Sequence, residues 1–380
     1  MKKEDVVGFI VYLIIFAFAI VFGLLVLREH ASRSGLDTPV YLAYILGAIV
    51  SGVILNAIIF ELGHVLGAKI GGYKILSVNV LGFMFLFDGG KKKFRFKNYD
   101  GLTGETKICP VEGKKNNPNP FLIFGSLLFF VEAAALIVLF TVLNGPDHSK
   151  VEQNIAYFFL VVLVVGAMIL IYNIIPFRLD SMNDGYRLRL ISNPKNKEAF
   201  NELLRVENAI EKGEENVEIK TFTEITNFTA ELNLNKVYLL QDQGKSDEAE
   251  AMLDDILKSE DINNRTYIRA KSQKIYIHLM NNDPEVAQEF YDKEVPMQER
   301  REISEDVSMA SIRAYILMSG LLDDSQSETM LALNKVLKAY KRTSESRQKY
   351  ELKLYNEALN KVIAKHPKWE LEGYILEEKK

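Results

Sequence analysis

Two groups of polar residues lie within or next to long apolar stretches and could do chemistry. Glu61 and His64 are three residues apart, so they share one face of a helix. Asp180 and Asp184 follow an apolar stretch that ends near Ile175. Inside a membrane, ionisable side chains cost several kcal/mol unless they are paired or bound to metal. With His and Asp as ligands and Glu as the base for a bound water, these residues could form a hydrolytic metal site.

The apolar stretches around these residues are long enough to cross a bilayer as helices. A hydrocarbon core of about 30 Å needs about 20 apolar residues in a helix. Four stretches meet this length, namely residues 6–27, 40–70, 121–143 and 155–175. The first exceeds the apolar core of a signal peptide and lacks a clear small-residue cleavage site, so we expect it to remain as a span.

Charge is distributed unequally between the two halves of the chain. Residues 1–195 carry 19 Lys and Arg against 14 Asp and Glu, whereas residues 196–380 carry 27 against 36. This segregation excludes a single soluble globule and a nucleic-acid binder that depends on overall basicity. The single cysteine, Cys109, excludes an internal disulfide framework and a Cys-rich zinc module.

Lys and Arg in the short loops predict the orientation of the spans. The segment between the second and third spans carries Lys74, Lys91, Lys92, Lys93, Arg95, Lys97, Lys107, Lys114 and Lys115. The segment after the fourth span carries Arg178, Arg187, Arg189 and Lys195, whereas residues 144–154 contain only Lys150. We therefore expect a bacterial plasma-membrane protein with both termini in the cytoplasm. Both polar groups then lie at the cytoplasmic face.

The two polar groups resemble the active-site motifs of the site-2 protease family of intramembrane zinc metalloproteases. Residues 56–73 (NAIIFELGHVLGAKIGGY) resemble its HExxH helix, and residues 173–188 (NIIPFRLDSMNDGYRL) resemble its Asn-x-x-Pro and Asp-Gly motif. Phe124-Gly125-Ser126 weakly resembles its Gly-containing middle motif. The resemblance implies zinc-dependent hydrolysis of a peptide bond in a membrane-embedded or membrane-associated protein, at the cytoplasmic face.

Carried over residue by residue, the resemblance assigns most of the family's site. Glu61 would activate water, and His64 and Asp184 would bind zinc. Asn173 and Pro176 match the loop that shapes the active site.

The family's first zinc-binding His is replaced by Phe60, whose side chain cannot bind a metal. Asp180 is the nearby candidate for a third ligand, and such a site would favour a harder metal than zinc or bind zinc weakly. One hypothesis is therefore a metallopeptidase with retained or altered activity. The other is an inactive pseudoprotease that grips a transmembrane partner in its cleft. Without metal, Glu61 and His64 could form a hydrogen-bonded pair and Asp184 could cap the following helix.

The basic segment between the second and third spans predicts a small membrane-proximal β-hairpin. Residues 73–88 are rich in β-branched and aromatic side chains, and Asp88-Gly89-Gly90 is a turn signal. The family hairpin at this place is proposed to engage substrate, so Val78 and Val80 are candidate substrate-binding residues on an edge strand that pairs with an extended peptide. The alternative is an amphipathic hairpin that lies among the lipid headgroups.

The polar half of the chain predicts a soluble helical domain. Ala249 and Ala287 occupy matching positions 38 residues apart, near the 34 of a tetratricopeptide unit. Stacked helical hairpins offer a concave surface to a cytosolic protein partner, whereas an irregular helical bundle is the alternative. We expect an all-α polytopic membrane protein with about four spans, joined to a soluble tetratricopeptide-like domain. The predicted divisions are a transmembrane domain at 1–195, a linker with one helix at 196–228 and the helical domain at 229–380.

Overall fold

The chain divides into two compact units, Met1–Lys197 and Glu198–Lys380. The structure, a computed structural model, describes residues 3–87, 93–96, 103–177, 182–214, 217–260, 262–343 and 345–377. The turn predicted at residues 88–90 and the candidate ligand Asp180 lie outside these residues.

The first unit contains four helices long and apolar enough to cross a membrane, and this confirms the prediction of four apolar helices. They are α1 with α2 (Lys3–Phe22 and Arg28–Arg33, joined by the π-helical turn Gly23–Leu27), α3 (Thr38–Ile70), α4 (Pro118–Leu143) and α5 (Lys150–Ile174). Proline in the first turn starts α3 and α4, and a Ser149–Glu152 capping box starts α5. The short helix α6 (Asp184–Ile191) follows, and α7 (Pro194–Glu211) begins in the first unit and lies mostly in the second.

Two glycines on α3 allow its backbone to touch that of α4. A Cβ on Gly63 would lie 2.4 Å from the carbonyl oxygen of Phe124. A Cβ on Gly67 would lie 2.2 Å from the carbonyl oxygen of Pro120. Small residues spaced four apart are a common way for membrane helices to approach closely, because lipid supplies no hydrophobic drive for their association. The α3–α4 contact therefore depends on these two positions.

A four-stranded antiparallel sheet lies between α3 and α4 in the chain, where the sequence predicted a two-stranded hairpin. Its strands are β1 (Tyr73–Val80), β2 (Phe83–Leu86), β3 (Lys93–Phe96) and β4 (Gly104–Pro110), in the order β3-β2-β1-β4. The first turn is Leu81-Gly82, whose φ angles of 50° and 93° suit a two-residue hairpin. Residues 73–88 therefore contain two strands and a tight turn.

The prediction that Val78 and Val80 lie on an edge strand was wrong. β1 pairs with β2 on one side, where Val78 is opposite Phe85, and with β4 on the other, where Val78 is opposite Thr106. Because both of its edges are hydrogen-bonded, β1 cannot accept another strand. Within the described sheet, the outer strands are β3 and β4.

The part of the second unit after residue 226 is built from helices that follow one another along the chain. They are α8 (Asn227–Asp242), α9 (Ser246–Leu257), α10 (Asn264–Asn281), α11 (Pro284–Glu294), α12 (Met297–Glu305), α13 (Met309–Leu317, continued by a π-helical turn Met318–Leu322), α14 (Gln326–Arg342) and α15 (Glu345–Lys365). Two single 3-10 turns, Pro367–Trp369 and Glu372–Tyr374, end the described part. A continuous core of buried apolar side chains runs through α8 to α15.

Buried polar contacts join α8, α10 and α13 at regular sequence separations. Asn263 Nδ2 donates to Asn227 Oδ1 over 3.1 Å, across 36 residues. The hydroxyls of Ser272 and Ser311 lie 3.0 Å apart, across 39 residues. The separations of these two contacts, 36 and 39 residues, are close to the 38 residues between Ala249 and Ala287.

A buried ion pair attaches α15 to this row of helices. Arg313 is fully buried, contacts the carboxylate of Glu351 and donates to Gln273 Oε1 over 3.2 Å. Its guanidinium also lies 5.2 Å from the ring centre of Tyr276. A buried charge without its partner is strongly destabilising, so the position of α15 depends on this pair.

We predict that Gly67→Ala weakens the first unit, because the added Cβ would meet a backbone carbonyl that cannot move aside cheaply. The expected loss is about 1–3 kcal/mol, measured by thermal unfolding in detergent. Gly47→Ala on the same helix is the matched control, since a Cβ there would meet nothing within 4 Å. Equal stability of the two variants would contradict the proposed close contact.

We predict that Glu351→Leu destabilises the second unit by about 3–5 kcal/mol, because Arg313 is left buried and uncompensated. The double variant Arg313→Met/Glu351→Leu should recover most of that loss. Fluorescence of Trp369, the single tryptophan, reports unfolding of this unit. A double variant no more stable than the single one would show that the charge pair is not the cause.

Candidate functional site

Helix α3 places Phe60 and His64 on one face, toward α4. A Cβ on Gly125 of α4 would lie 3.2 Å from both Phe60 Cδ1 and His64 Cε1. The two side chains therefore flank the same glycine, one helical turn apart. This is the arrangement that the i, i+4 spacing predicts, with an aromatic ring at the first position.

The orientation of the His64 ring is set by a backbone carbonyl on α4. Nδ1 lies 2.8 Å from the carbonyl oxygen of Phe121, and a carbonyl only accepts, so Nδ1 carries a proton and donates. Nε2 points the other way, 3.3 Å from Asp184 Oδ2. A backbone partner on one ring nitrogen is a frequent feature of His ligands, because it presents the other nitrogen.

Asp184 is the first residue of α6, and its neighbours hold it in place. The cap of α6 is Asn183, whose Oδ1 accepts from the backbone N–H of Tyr186 over 2.9 Å. Asn183 Nδ2 also donates to the carbonyl of Ile175 over 2.7 Å, which ties α6 to the end of α5. The prediction that Asp184 caps this helix was therefore wrong. Asn183 is the capping residue, and the Asp184 carboxylate is directed to His64.

Gly185 allows α6 to begin against the end of α5. A Cβ at this position would lie 2.0 Å from the carbonyl oxygen of Ile174. Asn173 is buried in the last turn of α5, and Pro176 is exposed just beyond it. The residues of the second motif thus shape the junction that carries Asp184.

Glu61 is buried and is held by two hydroxyls near the start of β4. Thr106 Oγ1 donates to Glu61 Oε2 over 2.7 Å, and Thr103 Oγ1 donates to Oε1 over 3.2 Å. A Cβ on Gly104 would lie 3.1 Å from the carboxyl carbon of Glu61. Sequence analysis missed these three residues, and the small residue types at 103, 104 and 106 were the only signal. The described hydrogen bonds of Glu61 therefore go to the sheet, and its predicted pairing with His64 is not among them.

Glu61 nevertheless belongs to the same cluster as the other two ionisable groups. Its carboxylate is close enough to interact electrostatically with both His64 and Asp184. The structure thus brings together the three residues that the sequence placed in one site. Their groups come from α3 and α6, which are separated by about 120 residues along the chain.

Phe60, one helical turn before His64, places an apolar side chain next to this cluster of ionisable groups. It is fully buried, its ring stacks on Phe129 with centres 6.0 Å apart, and Ile169 completes the cluster. Apolar side chains from α3, α4 and α5 therefore pack together one turn before His64 on α3.

The side chains of His64 and Asp184 have the spacing of two zinc ligands, but the described residues supply no third ligand. Two ligands of a tetrahedral zinc lie about 3.3 Å apart, since each bond is about 2.0–2.1 Å. The Nε2–Oδ2 distance of 3.3 Å equals that edge. Among the residues that the structure describes, however, no group of three His, Cys, Asp or Glu could hold a metal ion. A zinc site with three protein ligands therefore does not fit the described residues.

No protein-family model matches the sequence, and no curated protein or solved structure matches it either.

We predict that Thr106→Val destabilises the junction between α3 and β4, because the buried Glu61 carboxylate loses its shorter hydrogen bond. The expected loss is about 1–3 kcal/mol in thermal unfolding. Thr106→Ser keeps the hydroxyl and should stay within experimental error of the unmodified protein. A loss of stability in Thr106→Ser with none in Thr106→Val would indicate that the methyl group, rather than the hydroxyl, matters at this position.

Proposed function

We propose that this chain is a membrane protein of the site-2-protease type that binds an extended segment of a membrane partner beside Glu61 without zinc-dependent cleavage. The observation that carries the proposal is Phe60, which is buried at the position of the family's first zinc ligand. Losing the groups that merely orient metal ligands costs about 10–100-fold in affinity or activity. Losing a direct ligand costs more.

Without a metal, the contact between His64 and Asp184 would still stabilise the site in this function. Because Nδ1 donates to the Phe121 carbonyl, the pair attracts when Nε2 is also protonated, as an imidazolium facing a carboxylate. It then joins α3 to α6. Glu61 joins α3 to β4 and to the neighbouring Thr103.

The outer edge of β4 is the surface that suits an extended peptide. β4 lies at one edge of the described sheet, and its neighbour Thr103 and its own Thr106 hold Glu61. Strand addition satisfies main-chain donors and acceptors, which matters most where little water is present. We assign the peptide to β4, because Val78 and Val80 lie on the interior strand β1.

The second unit would recruit a cytosolic protein. Polar contacts between α8, α10 and α13 recur at separations of 36 and 39 residues, which is the behaviour of a tetratricopeptide-like array. Nucleic acid is an unsuitable partner for this half, because its net charge is −9 from 27 basic and 36 acidic residues. We place it in the cytoplasm of a bacterium, on the side to which the loop charges assign both termini.

A metallopeptidase is the second candidate, and one observation favours it. His64 Nε2 and Asp184 Oδ2 have the separation of two zinc ligands, with Glu61 close to both. Asp180 would then have to supply the third ligand.

Metal content separates the two candidates. We expect the purified unmodified protein to carry almost no tightly bound zinc, and Phe60→His to gain about one zinc per chain, because it restores a third ligand. Phe60→Leu is the matched apolar control, and Phe60→His/Asp184→Ala should lose the gained metal. Elemental mass spectrometry measures zinc per chain. One zinc in the unmodified protein, lost in Asp184→Ala, would overturn the proposal in favour of the metallopeptidase.

Cleavage gives a second and independent readout. A co-expressed single-span model substrate should stay intact with the unmodified chain and should be cut by Phe60→His. Phe60→His/Glu61→Gln should bind metal but lack cleavage, because Glu61 is the base in the family reaction. Cleavage by the unmodified chain that Glu61→Gln abolishes would contradict the pseudoprotease hypothesis.

A further inference from the structure

One face of the sheet carries four exposed phenylalanines. Antiparallel partners point to the same side of a sheet, and the register pairs Phe83 with Phe96 and Phe85 with Phe94. We call this set, Phe83, Phe85, Phe94 and Phe96, the phenylalanine face. Phe94 is 60% exposed and Phe96 is 72% exposed, and the other two are also exposed.

The four rings form one continuous patch. The ring centre of Phe83 lies 6.1 Å from that of Phe94 and 5.7 Å from that of Phe96. The ring centres of Phe85 and Phe94 lie 5.4 Å apart. Large exposed apolar patches on proteins mark surfaces that contact a partner or a membrane. Because each phenylalanine buries a large area when covered, this face requires a partner.

The position of the sheet along α3 identifies the bilayer as that partner. β4 is bonded to Glu61, which is nine residues before the end of α3, so the sheet lies about 13 Å back along the helix. Over that length α3 still exposes the apolar side chains Leu62, Leu66 and Ile70. The β4 side of the sheet therefore stands beside a part of α3 whose exposed surface suits lipid.

The opposite face and the surrounding sequence carry charge that complements anionic lipid. Arg95 is paired with Met84 and Lys93 with Leu86, so both cations lie on the side opposite the phenylalanine face. Residues 74–115 contain nine Lys and Arg against four acids, which gives a net charge of +5. The cytoplasmic leaflet is negatively charged and attracts basic segments next to a span.

We propose that the phenylalanine face rests in the headgroup region of the cytoplasmic leaflet, with Lys93 and Arg95 bound to anionic headgroups. Aromatic side chains on one side and cations on the other are the features of a segment that lies in the plane of the interface. The long cationic side chains can reach phosphates while the rings enter the boundary with the acyl chains. This surface is separate from the peptide edge of β4 and does not depend on whether the Glu61 site cuts.

The depth in the bilayer of a tryptophan introduced at one position tests the proposal. Phe96→Trp on the phenylalanine face and Lys93→Trp on the opposite face of the same strand are compared in lipid nanodiscs, and the unmodified protein, with only Trp369, supplies the baseline. Brominated acyl chains quench buried tryptophan, and acrylamide quenches tryptophan in water. We expect bromolipid to quench Phe96→Trp and acrylamide to quench Lys93→Trp. Phe94→Trp is the second variant on the phenylalanine face if Phe96→Trp does not fold.

The role of the cations is tested in the same nanodiscs. Adding Lys93→Gln or Arg95→Gln to Phe94→Trp should lower the ratio of lipid-inserted to water-exposed phenylalanine face about fivefold for each cation removed, in anionic lipid alone. Zwitterionic nanodiscs are the matched control. Acrylamide quenching of both single variants would place the face in water and overturn the proposal. Protection of Phe96→Trp from both quenchers would mean that protein covers the face, and this would overturn it as well.

Discussion

The backbone contact between α3 and α4 is the constraint on which the rest of the site depends. Gly63 and Gly67 leave no side chain between the helices, so the carbonyls of α4 come within reach of α3. The Phe121 carbonyl then fixes the His64 ring through Nδ1, and Gly125 receives the adjacent edges of Phe60 and His64. With larger residues at these glycines, the same polar residues would not converge.

This close packing also explains why the Phe60 substitution has such a large chemical consequence. The space beside His64 is bounded by Phe129 and Ile169, and an aromatic ring fills it completely. A smaller residue would leave a cavity, and a water there would lack polar partners. Phe60 therefore maintains the packing of the helices and supplies no donor atom beside the His64–Asp184 pair.

The two sides of the sheet have different roles, one at the Glu61 carboxylate and one at the phenylalanine face. On the β4 side its hydroxyls satisfy the Glu61 carboxylate, and on the β3 side it presents the phenylalanine face. The peptide proposed above would pair with β4, whereas the proposed lipid contact would cover side chains of β2 and β3, so the two proposals concern different strands of the same sheet.

The sequence by itself determined the features that depend on local spacing. The four apolar helices follow from stretch length, and the shared face of Phe60 and His64 follows from helical periodicity, because both are properties of contiguous residues. The tertiary structure alone decided the contacts between distant residues. It made β1 an interior strand, left Asp184 to face His64, and placed Thr103 and Thr106 on Glu61. The contact of Glu61 with Thr103 and that of His64 with Asp184 depend on close approach across 42 and 120 residues, and residue type carries little information about which distant group will be nearest.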